Sequence, residues 1–181
     1  MTENDTPTKL LWVDLEMTGL DPSTQRIIEV AAVVTDFELN ETARYEAIIR
    51  QPDEVLDAAE DWPKENMQDL FAQVREAERD EETVVSQLVA FIKENFGEEP
   101  AILAGNSIHQ DRRFIRQWWV PVEDVLHYRM IDVSSFKLWI YGTQGTKMEK
   151  GEQHRALDDI QESITELKWC LEQLSSENRE D

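Results

Sequence analysis

Positive charge is scarce in this sequence relative to negative charge. Its 18 lysines and arginines face 39 aspartates and glutamates, for a net charge of −21. Proteins that coat long nucleic acid or bind long duplexes rely on clustered Lys and Arg to neutralise phosphate, so this balance argues against that class. Cysteine is nearly absent. Cys170 stands alone, which excludes an internal disulfide and a cysteine-based zinc cage. No apolar run approaches the ~20 residues that a membrane-spanning helix needs. The first residues, MTENDTPTK, are polar and acidic, unlike the basic-then-apolar order of a signal peptide. Together these absences predict a cytoplasmic protein with no membrane partner. Glycine is also scarce: three of the six fall within 142–151, which predicts a loop there.

The distribution of charge says more than its total. Residues 36–104 carry 19 acids against 6 bases, and residues 105–155 carry 8 bases against 6 acids. An anion-binding site is therefore expected in the second window. At 181 residues the chain suits a single domain with its own core. That domain is expected over 9–174, between a disordered N-terminus at 1–8 and a disordered acidic tail at 175–181.

Hydrophobic periodicity predicts strands over 9–17, 25–37, 43–50 and 101–105. It predicts helices over 81–96, ended by Gly97, over roughly 107–119 and 133–141, and from about Arg155 onward. In the last helix Leu157, Ile160, Ile164, Leu167 and Leu171 share one side. Residues 52–80 read as loop and short helix. Antiparallel strands first, followed by alternating helix and strand, give an α/β sheet flanked by helices.

Acids interrupt this pattern in three places. In LLWVDLEMTGLD, Asp14 and Glu16 follow a buried run at the alternation that puts both on one face of a strand. Paired carboxylates there repel each other and cost desolvation, unless they merely face solvent. In NSIHQDRRFIRQWW, Asp111 occupies a slot within the apolar stripe of Ile108, Ile115 and Trp118. It needs either a metal or one of Arg112, Arg113 and Arg116 as partner. In EQHRALDDI, His154 precedes Asp158 and Asp159, and periodicity alone does not choose between the two acids. Hard oxygen ligands select Mg²⁺ or Mn²⁺, and two such ions assist phosphodiester displacement. A histidine with a near-neutral pKa can take the proton from the attacking water.

The segments WVDLEMTGLD, GNSIHQDRRF, HYRMIDVSS and HRALDDI resemble the signatures of the oligoribonucleases, in the histidine branch of the DEDD 3′→5′ exonucleases. The resemblance runs from Leu10 to Leu171. It implies a ribonuclease-H-like mixed sheet, with antiparallel hairpin strands beside parallel ones, and a homodimer. The implied activity is degradation of very short RNA, dinucleotides above all. Carried over by motif, Asp14, Glu16, Asp111 and Asp159 would hold two divalent cations per site, and His154, five residues before Asp159, would be the general base. Leu20 resembles a wedge between two substrate bases, and Trp62 an aromatic that packs on a base. Ser107, Arg129, Ser134 and Ser135 resemble a cap on the 5′-phosphate, with Tyr128 reaching in from the other subunit. Trp118, Trp119 and Trp139 are candidates for the subunit interface. After Trp62 the chain departs from the family pattern: PKENMQDLF is about two residues short, and Met67 or a neighbour replaces a histidine. Ser135 replaces a threonine.

Two other readings remain open. One is a proofreading or RNA-trimming exonuclease of the same superfamily, acting on longer strands, against which the implied cap argues. The other is a non-catalytic nucleotide-binding scaffold.

Overall fold

The ten residues IIEVAAVVTD from Ile27 to Asp36 form a strand whose side chains, both faces included, are buried up to Thr35. A strand covered on both sides reads as a continuous apolar run, and this one lies inside the sheet. The structure is a computed structural model and describes residues 6–148 and 155–177. Its elements run β1 (Lys9–Met17), β2 (Ile27–Asp36), β3 (Glu41–Ile48), α1 (Asp53–Asp57), α2 (Asp61–Asn66), α3 (Gln68–Glu76), α4 (Glu81–Phe96), β4 (Ala101–Gly105), α5 (His109–Trp118), α6 (Val120–Glu123), β5 (Leu126–Asp132), α7 (Val133–Gln144) and α8 (Ala156–Glu177). The strands form one mixed sheet in the order β3-β2-β1-β4-β5. β1–β2 and β2–β3 pair antiparallel, while β1–β4 and β4–β5 pair parallel.

Alternation along β1 divides the core. Leu11, Val13 and Leu15 pack with Val84, Leu88 and Ile92 of α4 and with Phe114 and Ile115 of α5. Leu10 and Trp12 pack on the other face, with Val133 of α7 and Ile160, Ile164 and Leu167 of α8. The Trp12 indole N–H donates to Thr35 Oγ1 at 2.9 Å, so its polar edge is satisfied inside the core. A third cluster joins Ile28 to Leu56, Leu70, Phe71 and Val74, which seats α1–α3 at one end of the sheet. Each fully buried Val, Leu or Ile contributes about 1.5–3 kcal/mol, enough in sum to let the sheet gather acids at one edge.

The elements depart from the periodicity in several places. β5 is a strand that periodicity does not reveal: LHYRMID has one buried residue, Leu126, because an edge strand keeps little apolar surface. α7 runs on through Gly142 to Gln144 and stops at Gly145 in the left-handed conformation, so the expected loop begins later. α8 reaches Glu177, three residues into the expected tail. Leu171 leaves the apolar stripe and is 41% exposed, because α8 has outrun the sheet by that point. Of the three tryptophans expected at an interface, Trp119 is fully buried and donates to Glu81 Oε1, Trp118 lies beneath the Arg26 guanidinium, and Trp139 is exposed. Among the described residues no helix is long and apolar enough to cross a membrane.

Candidate active site

Because β1, β4 and β5 are parallel, their carboxyl ends share one edge of the sheet. Such an edge is where open α/β sheets present ligand groups. Asp14 and Glu16 end β1 there, in the same alternation as Leu10 and Trp12, and so point toward the α8 side. Asp159 enters in the first turn of α8. One carboxylate oxygen from each of Asp14, Glu16 and Asp159 lies within 4.8 Å of the other two. Asp158 is exposed and turned away, so geometry makes the choice that periodicity leaves open.

Asp111 reaches the same edge from α5. Its Oδ1 accepts the backbone N–H of Leu15 at 3.1 Å, between the two β1 acids. The arginine partners weighed for it are engaged elsewhere. Arg112 and Arg116 donate to Glu123, and Arg113 donates to Gln110. Burial, and then the charges of Asp111, Glu16 and Asp159, hold the Asp14 carboxyl well above the usual range. Burial, then Asp159 and Glu29, push Glu16 up to about 8. Burial pushes Asp111 up to about 7 against the lowering effect of its backbone hydrogen bonds. Desolvated carboxylates that repel one another are an oxygen donor set fitted to a hard divalent cation.

Two residues behind this cluster escape the sequence reading. Glu29 sits opposite Glu16 across the β1–β2 ladder, 6% exposed. Arg155 clasps it from the start of α8, with Nη2 2.7 Å and Nε 3.1 Å from Oε1. The pair fastens the first turn of α8, which carries Asp159, to the sheet. Its sequence signal is one acid inside the run IIEVAAVV. His154, adjacent to Arg155, lies outside the described residues.

Leu20 and Trp62 stand exposed on a pocket of about 390 Å³, also lined by Leu15, Glu16, Met17, Gly19, Glu60, Pro63 and Met67. Met67 is buried and forms an apolar wall of this pocket. Glu60 bridges the two sides: its Oε1 accepts from Leu20 N at 3.0 Å, and its own N–H donates to Thr18 O at 2.8 Å. A Cβ at Gly19 would stand 2.4 Å from the Glu60 carboxyl carbon, so this fit requires glycine.

Ser107 and Ser134 meet at the ends of β4 and β5, their hydroxyls 3.2 Å apart. Ser135 is exposed on the next position of α7. Arg129 and Tyr128 stand exposed on β5, the guanidinium 5.0 Å from the ring centroid.

Residues 11–167 match the exonuclease family model of RNase T. An oligoribonuclease of Shewanella loihica is 43% identical over 173 residues, covering 92% of this chain and 96% of that protein. One of Francisella tularensis subsp. holarctica is 42% identical over 171 residues, with the same coverage. Among solved structures, exonuclease I of Methylocaldum szegediense aligns at a TM-score of 0.66 and 17% identity, over 97% of this chain. A zinc-bound form of the E. coli exonuclease I–ssDNA complex aligns at 0.67 and 15%, over 90%. The chain spans less than half the length of these two, at 42% and 40%, and what it shares with them is the ribonuclease-H-like fold.

Proposed function

Since the chain belongs to the oligoribonucleases of the RNase T exonuclease family, and is thus a 3′→5′ exoribonuclease, we propose that it hydrolyses very short 5′-phosphorylated RNAs, dinucleotides above all, to mononucleotides. The observation that carries this reading is the shared sheet edge. It gathers the carboxylates of Asp14, Glu16 and Asp159 with Asp111, and it also holds the hydroxyls of Ser107 and Ser134. A phosphate pocket on the same sheet edge as the reacting centre favours a chain that ends one nucleotide upstream.

In this reading Asp14, Glu16, Asp111 and Asp159 hold two divalent cations, Mg²⁺ or Mn²⁺. Ions bound there would supply positive charge that stabilises the phosphodiester displacement. His154 would take the proton of the attacking water. Leu20 wedges between the two bases, and Trp62 packs on one of them across the apolar pocket. Arg129 with Ser107, Ser134 and Ser135 binds the 5′-phosphate by charge-assisted hydrogen bonds. Tyr128 acts on the site of a second copy. The exposed large apolar side chains of α7, Leu138, Trp139 and Tyr141, and of edge strand β5, Tyr128 and Met130, support a homodimer. The cytoplasm is its place of action, in keeping with a lone, buried, unpaired cysteine.

The test compares turnover of RNAs of two to seven nucleotides, with and without a 5′-phosphate. The dinucleotide should be cleaved fastest, with the rate falling sharply at each added nucleotide, and Arg129→Ala should cost about 2–4 kcal/mol in kcat/KM for the phosphorylated form alone. Equal rates at every length would sink the cap and leave a general exonuclease. His154→Ala should lower kcat by about 10²–10⁴ with metal still bound. A variant that instead loses metal affinity and keeps its rate makes His154 a ligand.

A further inference from the structure

β5 departs from regular pairing at the residues that carry the arginine of the phosphate cap. Ala101 of β4 pairs with Leu126, and the next pair on record is Leu103 with Met130. Three residues of β5, His127, Tyr128 and Arg129, therefore stand opposite one residue of β4, Ile102. A bulge of this kind interrupts the ladder and re-aims side chains. Consecutive residues of a regular strand point to opposite faces, yet the rings of His127 and Tyr128 stack, their centroids 4.5 Å apart and their planes 29° from parallel. The Arg129 guanidinium lies 5.0 Å from the centroid of the same Tyr128 ring. The bulge thus gathers three successive side chains around one phenol ring.

A bulge also takes backbone groups off the ladder, and each then needs another partner. Side chains supply two of them here. The Tyr128 carbonyl accepts from Arg112 Nη1 at 3.1 Å, and the Arg129 N–H donates to His127 Nδ1 at 3.0 Å. Arg112 comes from α5 and is 3% exposed. Glu123 grips one edge of its guanidinium, with Nη2 2.9 Å from Oε1 and Nε 3.1 Å from Oε2. The group is planar and only donates, so this grip fixes the direction in which Nη1 reaches β5. The His127 contact spans two residues, as an Asn or Asp side chain does when it closes a turn on its own backbone.

We infer that Arg112 and His127 are positioning residues of the 5′-phosphate cap: they hold the β5 bulge in the shape that aims Arg129 at the phosphate and turns Tyr128 outward toward the second copy. This rests on the cap reading above and deepens it. Arg129 supplies the charge, and the bulge supplies its direction.

The readout is the ratio of kcat/KM for a 5′-phosphorylated dinucleotide to that for its 5′-hydroxyl form, since a general folding defect lowers both and leaves the ratio unchanged. His127→Leu removes the acceptor for the Arg129 N–H and should reduce the ratio about fivefold, the size of one lost hydrogen bond. His127→Asn, whose Oδ1 can take the place of Nδ1, should restore it. Arg112→Lys keeps a cation for Glu123 but cannot also span to the Tyr128 carbonyl, and should reduce the ratio similarly. Arg129→Ala is run in parallel. If Arg129→Ala lowers the ratio while His127→Leu and Arg112→Lys leave it at the wild-type value, the cap stands and the positioning role is overturned. Equal losses in His127→Leu and His127→Asn overturn it as well, because the acceptor is then not what matters. If Arg129→Ala itself leaves the ratio unchanged, the cap reading fails and this inference with it. Should Arg112→Lys not fold, the His127 pair decides by the same criterion.

Discussion

The backbone N–H of Leu15 donates to Asp111 Oδ1 at 3.1 Å, which draws a carboxylate of α5 to the stretch of β1 between Asp14 and Glu16. The bond fixes where the third acid sits, while burial, which outweighs the bond's lowering effect on Asp111, sets a pH dependence. Glu16 is pushed from 4.5 to about 8, Asp111 from 3.8 to about 7, and Asp14 also upward. An acid with a raised folded pKa contributes stability that is complete below its unfolded pKa and is lost as pH rises through its folded pKa. The melting temperature of the metal-free protein should therefore fall between about pH 4 and 8, and saturating Mn²⁺ should flatten the slope. General repulsion among the surface acids acts in the same direction, so the control is Glu16→Gln, whose slope should be shallower. Calorimetry in chelator and in Mn²⁺ measures both; identical slopes in the two conditions contradict the assignment.

Asp14→Asn should abolish hydrolysis and raise the melting temperature of the metal-free protein. One negative charge leaves a cluster in which Asp111, Glu16 and Asp159 all raise the Asp14 pKa. Full activity of this variant at any Mg²⁺ or Mn²⁺ concentration would falsify the metal site.

The Glu29–Arg155 pair should respond asymmetrically. The Glu29 side chain is 8% exposed and that of Arg155 46%. Arg155→Met leaves a buried carboxylate without its counter-charge, opposite Glu16, and should cost about 3 kcal/mol of stability. Glu29→Gln leaves an arginine that still reaches water, and should cost about 1 kcal/mol. Denaturant midpoints measure the two; equal losses mean that burial of Glu29 is not what the pair compensates.

Gly19→Ala should leave folding nearly intact while weakening substrate binding. The new Cβ displaces the flexible end of Glu60, which gives up the N–H of Leu20. KM for a dinucleotide should rise several-fold with kcat little changed, and Glu60→Ala alone should reproduce the effect. A kcat loss at constant KM points to the metal cluster instead.

Trp139→Glu should yield a monomer in light scattering, because Trp139 is 64% exposed and its neighbour Leu138 is exposed as well. The monomer should be poorly active, since it lacks the second copy's Tyr128. A fully active monomer removes the composite site.

The strand ends and helix stripes were legible in the sequence because burial imposes a period that local pattern records. Asp14 and Glu16 follow from alternation, and the burial of Asp111 follows from its place in an apolar stripe. β5 was not legible, since an edge strand buries too little to leave a pattern. Nor were Met67 as a pocket wall and Glu60 as a bridge, because each depends on how α2 seats against the loop after β1.

What the sequence determined by itself was the residue chemistry: acids at the ends of core elements, serines and an arginine in the less acidic window, and motifs that identify a family. Only the tertiary structure decided that Glu29 and Arg155 brace the acid cluster, and that Asn106, Lys137 and Glu166 lie behind Ser134. Glu29 and Arg155 are 126 positions apart. No local period carries information over such a separation. The parallel alignment of β1, β4 and β5 brings the acids and the serines to one edge of the sheet.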